Sequence, residues 1–89
     1  VEVEAIDYLQ AYDNYCFLHT NNKRFLLPHT LKDVESKLDG NKFMRTHRSY
    51  LVNINRISAI DELGIEVGGE RLPLSKNQRK ELLRRIQLL

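Results

Sequence analysis

Eighty-nine residues with 42% hydrophobic and 29% charged side chains make one small globular domain, which excludes a disordered chain. No apolar run approaches the roughly 18 residues of a membrane span, and no signal peptide opens the chain, so a membrane partner is not expected. Cys16 is the single cysteine, which excludes an intrachain disulfide and a four-cysteine zinc site and makes the cytoplasm the default compartment.

Ile6 to Ala11 and Tyr15 to Thr20 are β-prone runs flanking the turn-type tripeptide Tyr12-Asp13-Asn14. Asn21-Asn22 predicts a second turn and Lys23 to Pro28 a third strand, ending where Pro28 cannot donate to a ladder. The period then turns helical. Thr30 is a good N-cap, and Leu31, Val34 and Leu38 fall on one face of a helix of about two turns. Gly40 suits a left-handed cap at its end. Phe43 to Thr46, Tyr50 to Ile54 and Arg56 to Ile60 read as strands, the first two joined by His47-Arg48-Ser49. Ile65 to Val67 and Glu70 to Leu72 around Gly68-Gly69 form the clearest hairpin. Ser75 with Gln78 reads as a capping box, and Leu82, Leu83, Ile86 and Leu89 mark the buried stripe of a C-terminal helix with Lys76, Lys80 and Arg84 on its solvated face. The fold class is mainly β, with a short helix in the middle and a helix at the end.

The net charge of +2 conceals a segregation along the chain. Residues 1–22 carry acids and no Lys or Arg, while residues 42–60 carry Lys42, Arg45, Arg48 and Arg56 and no acid. Acids return at Asp61, Glu62, Glu66 and Glu70, and residues 71–89 carry six Lys and Arg against Glu81 alone. Two basic blocks of this kind point first to a polyanion, and otherwise to ordinary solvated faces.

Three clusters could meet a nucleic acid. In Arg45-Thr46-His47-Arg48-Ser49-Tyr50 a guanidinium can grip phosphate or the guanine edge, and Ser or His can hold a phosphate oxygen. The same segment also reads as a polar corner in which His47 bonds backbone and Asn53 satisfies a turn. Ser75-Lys76-Asn77-Gln78-Arg79-Lys80 joins the donor end of a helix to full positive charges, or is simply a capped helix. Asn14 at a hairpin tip can pair with adenine, or is turn chemistry only. Catalysis is not supported, because no acid lies near His47 and Ser49 in sequence and no nucleophile elbow is present. Cys16, His19, His29 and His47 match no metal-ligand spacing, so neither a metal nor a cofactor is expected.

The run Phe43-Met44-Arg45-Thr46-His47-Arg48-Ser49-Tyr50-Leu51-Val52-Asn53, followed by Leu72-Pro73-Leu74-Ser75-Lys76, closely resembles the LytTR family of bacterial DNA-binding domains. Ile6 to Ala11, Asn14-Tyr15 and Thr30-Leu31-Lys32 extend that resemblance over nearly the whole chain. It implies an elongated arrangement of small, mostly antiparallel sheets that inserts loops into successive major grooves of double-stranded DNA. It further implies the effector half of a two-component response regulator. The partners would be paired direct repeats in promoters, a second copy on the adjacent repeat, and a receiver domain elsewhere in the protein.

By position, the resemblance makes Arg48 a base reader with His47 and Ser49 on phosphates. Asn77 or Lys76 becomes the second base reader, with Ser75 and Lys80 on phosphates. Asn14 lies in the first loop, and His29 and Thr30 lie near a further backbone contact; Arg45 and Arg79 join the anchoring set. Lys76 stands where the family usually has Arg, and the family usually supplies one more strand before Val1, so either an unpaired sheet edge or a fragment boundary drawn short is expected. The competing expectation is a protein-interaction module that uses an edge near Val1 or the C-terminal Leu stripe.

Overall fold

The computed structural model describes residues 1–87. Five strands form one antiparallel sheet in the order β3-β2-β1-β5-β4: β1 (Tyr8–Tyr12), β2 (Tyr15–Thr20), β3 (Lys23–Leu27), β4 (Phe43–His47) and β5 (Tyr50–Asn53). A smaller sheet holds β6 (Ile57–Asp61), β7 (Gly64–Val67) and β8 (Glu70–Leu72) in chain order. Helix α1 (Leu31–Glu35) follows β3, and α2 (Lys76–Gln87) follows β8. Single 3-10 turns at Val3–Ala5 and Ile54–Arg56 lead into β1 and out of β5.

The period-2 alternation of the strands sorts their apolar residues onto two faces. Leu9, Cys16, Leu18, Phe43 and Leu51 pack under α1 through Leu31. Tyr8, Met44 and Val52 face the other way and meet Ile65, Val67 and Leu72 of the small sheet and Leu82 of α2. The large sheet is therefore the middle layer, with α1 on one side and the small sheet with α2 on the other. Its overall extents are 33 × 23 × 23 Å.

Hairpin register follows from turn chemistry. Asn21 and Asn22 both take left-handed φ (48° and 64°), as does the Gly68-Gly69 pair (58° and 82°), which is the geometry that two-residue turns require. Asp13 takes φ 55° at the β1–β2 turn. Pro28 ends β3 as expected. Thr30 caps α1, its hydroxyl accepting the Asp33 N–H at 3.2 Å.

Four local expectations are corrected. The first helix stops at Glu35, where Ser36 Oγ donates back to the Asp33 carbonyl at 2.7 Å, so Gly40 lies beyond its end and keeps an ordinary φ. The Ser75 hydroxyl donates to the Thr46 carbonyl at 3.4 Å instead of closing a capping box. Leu83 is 39% exposed while Leu82 is fully buried and Ile86 packs on the core, so the stripe is narrower than its spacing suggests. Leu89 lies outside the described residues. The stripe serves the chain's own core, and the segment near Val1 is a 3-10 turn; of the two edge strands of the large sheet, β4 meets the start of α2 and β3 is open.

Candidate nucleic-acid interface

Strand register decides which loops are neighbours. Tyr12 pairs with Tyr15, Gln10 with Tyr50, His47 with Tyr50, and Cys16 with Leu27. The Asp13-Asn14 turn, the Arg48-Ser49 turn and the stretch from Pro28 to Thr30 therefore leave the same end of the large sheet. Helix α2 begins there too, because the Ser75 N–H donates to the Thr46 carbonyl at 3.0 Å. Strands lie about 4.8 Å apart, so this line of loops runs for roughly 20 Å from β3 to β4, with the helix start beyond it. The Ser49 carbonyl accepts the Ala11 N–H at 2.8 Å, so the β1–β2 tip projects past the β4–β5 turn.

The turn that carries Arg48 is braced from both sides. His47 Nδ1 accepts the Ser49 N–H at 3.1 Å, and its ring lies 5.9 Å from that of Tyr50. Accepting at Nδ1 places the proton of a neutral ring on Nε2, which leaves an N–H donor for an incoming group. The polar-corner alternative is thus realised for His47, and also for Asn53, whose Oδ1 accepts the Asn55 N–H at 3.1 Å. Neither bond involves Arg48, which stands exposed at the tip.

Arg48 differs in this from every other arginine among the described residues. Arg24 lies over the Phe17 ring at 4.5 Å. Arg45 bonds Glu35 Oε1 at 2.8 Å, Arg56 the Glu4 carbonyl at 3.1 Å, and Arg71 Asp61 Oδ1 at 2.7 Å. Arg79 donates to the Asp61 carbonyl. Arg84 and Arg85 both hold Glu81, whose carboxyl they draw down to about 2. Arg48 alone has no hydrogen bond, ion pair or ring partner among the described residues.

This changes the meaning of the charge blocks. Lys42 and Arg56 lie at the far end of the sheet, where the Ile54 N–H donates to the Lys42 carbonyl at 2.9 Å. Arg45 faces α1, and Arg79 ties α2 to the end of β6. Neither of these two guanidiniums is presented at the loop end in the way the sequence suggests. What remains there is Arg48, with Lys76, Asn77 and Lys80 exposed on the first turns of α2 and Asn14 exposed on the β1–β2 tip. Ser49 and Ser75 are half-buried beside them, His29 is exposed, and Thr30 is occupied as a cap. Asp13, within the turn tripeptide that the sequence marks, takes the left-handed φ next to Asn14.

The comparisons agree with this architecture. The LytTr DNA-binding domain family matches residues 1–87. The chain is 31% identical over 94 residues to the sensory transduction protein LytT of Bacillus cereus, covering 99% of this chain and 38% of that protein. It is 32% identical over 59 residues to the transcriptional regulatory protein YpdB of Escherichia coli K12, covering 66% of this chain and 24% of that protein. The chain thus spans well under half the length of these curated relatives. Among solved structures, the LytTr DNA-binding domain of a methyl-accepting/DNA response regulator from Bacillus cereus superposes with a TM-score of 0.82 at 26% identity, over 97% of this chain and 84% of that one.

Proposed function

This chain belongs to the LytTr DNA-binding domain family, and on that premise we propose that it is the sequence-reading part of a bacterial transcription regulator. The family is one of DNA-binding domains and not of enzymes. The observation that carries the reading is the free Arg48 guanidinium on a braced turn, in line with Asn14 on one side and Asn77 on the other.

Arg48 is positioned to read a guanine through O6 and N7, and Asn77 or Asn14 an adenine through N6 and N7, since these are the two-bond partners that each side chain fits. His47, Ser49, Ser75, Lys76 and Lys80 hold phosphates around them. Such contacts fix position but carry no sequence information. Arg45 and Arg79 leave this set and act as braces for α1 and α2. The Asn14 tip and the first turn of α2 lie on either side of the Arg48 turn. That separation supports the reading in which two loop groups enter neighbouring stretches of major groove. A second copy then occupies a direct repeat one turn away, and a receiver domain in the same protein controls the pair.

Selection of bound sequences from a random duplex pool tests this. Enrichment of a short motif repeated at a spacing near one helical turn is expected. A pool that stays unenriched while the protein still retains DNA at low salt would reduce the domain to a non-specific binder.

A further inference from the structure

The end of the molecule opposite the loops carries a cleft of about 460 Å³. Its floor is the start of β1 and the end of β2, where the Tyr8 and His19 rings stack at 4.2 Å and 15°. One wall is cationic, from Lys23 and Arg24 at the start of β3. The opposite wall is acidic, from Asp7 before β1 and Glu70 after the β7–β8 turn.

Facing charges of opposite sign normally close on one another; here they do not. Among the described residues Lys23, Arg24 and Glu70 make no ion pair, and Asp7 reaches only Arg56, at 4.0 Å and outside the cationic wall. Two features hold the walls apart. Arg24 is propped over Phe17 at 4.5 Å. Asp7 is wedged against Gly68, where a Cβ would fall 2.8 Å from its Oδ2, and the left-handed φ of 58° at that glycine fixes the turn. A simple cation or a simple anion would satisfy one wall and leave the other without a partner.

We propose that this cleft is a binding site for a small zwitterion that carries an ammonium and a carboxylate, of the free amino-acid class. The ammonium lies against Asp7 and Glu70, the carboxylate against Lys23 and Arg24, and the carbon chain between them crosses the Tyr8 and His19 rings. The volume falls within the range of small-molecule sites. Charge-assisted hydrogen bonds at both ends supply the orientation. Because β7–β8 forms one wall and β2–β3 the other, an occupant bridges the two sheets. The loops that meet DNA lie at the other end of the strands, so the two ligands do not compete for surface.

The test is an NMR titration of the whole domain with a ladder of spacings: glycine, 4-aminobutyrate and 6-aminohexanoate, with propylamine, propionate and matched sodium chloride as controls. One member of the ladder should shift the amides of Gly68, Glu70, Lys23 and Arg24 saturably, with the controls shifting none. Glu70→Gln and Arg24→Gln should each weaken that member about ten-fold, the loss of one charged contact. Both residues are exposed, so both variants should fold, and their unchanged amide spectra elsewhere would verify it. Equal shifts from the amine or the carboxylate alone, the same affinity in both variants, or no shift from any member would each overturn the proposal.

Discussion

At the scale of single residues, the partners that an arginine already has decide what it can still do. Arg48 and Arg45 stand three positions apart in one basic run, yet one guanidinium is free and the other is spent on Glu35. Arg48→Ala should cost roughly 1–3 kcal/mol on the selected sequence and relax discrimination at one base pair, as read by competition binding against single-base variants. Arg45→Met should leave that discrimination intact. It should lower folding stability by about 1 kcal/mol or less, because the pair it breaks is partly solvated. A loss of Arg48→Ala affinity that is equal on specific and random duplexes would remove its role as a reader.

His19 gives a second residue-scale prediction. Burial first, and then Arg24, hold its pKa below the usual histidine value, with Glu70 and Asp7 opposing. The unfolded chain therefore takes up a proton before the folded one does. Stability should fall as pH drops below about 6.5 toward the lowered folded value. Urea titrations at pH 7 and pH 5.5 should show the native chain losing ground relative to His19→Phe, a replacement that keeps a ring against Tyr8. A stability difference between the two that does not change with pH would contradict this.

At the scale of elements, the junction of β4 with α2 is the part on which the loop end depends. The Thr46 carbonyl receives both the N–H and the hydroxyl of Ser75, which seats the first turn of α2 beside the Arg48 turn. Beneath it the Thr46 hydroxyl is buried and has no hydrogen-bond partner among the described residues. A buried hydroxyl without a protein partner adds little to stability. Thr46→Val should therefore be neutral or raise stability by about 1 kcal/mol in urea denaturation, without changing DNA affinity. A loss of 1 kcal/mol or more would mean that the hydroxyl is satisfied in solution.

At the scale of the whole molecule, the field that meets DNA is smaller than the composition suggests. Of the basic residues in the two positive blocks, most are paired within the chain or lie at the far end of the sheet; Arg48, Lys76 and Lys80 remain on the loop side. Replacing Lys80 by Ala should flatten the dependence of log affinity on log salt by about one unit and weaken all sequences alike. Replacing Arg71, which is bound to Asp61 on the small sheet, should leave the slope unchanged. Equal flattening by both would show that overall charge governs binding, and not placement.

The sequence by itself determined the strands, the turns and the family. Alternation of apolar residues, Pro28, the Asn21-Asn22 and Gly68-Gly69 pairs and the long Phe43–Asn53 run are local signals, and local geometry follows from them directly. The sequence set Arg45 beside Arg48 and Arg79 beside Lys80 as anchors, since it does not show that Glu35 and the Asp61 carbonyl already hold Arg45 and Arg79. Nor did it place the two walls of the distal cleft opposite each other, because Arg24 and Glu70 belong to different sheets. Pairing and facing are properties of strand register and layer packing. They join residues on different elements of the chain, and only the tertiary structure decides them.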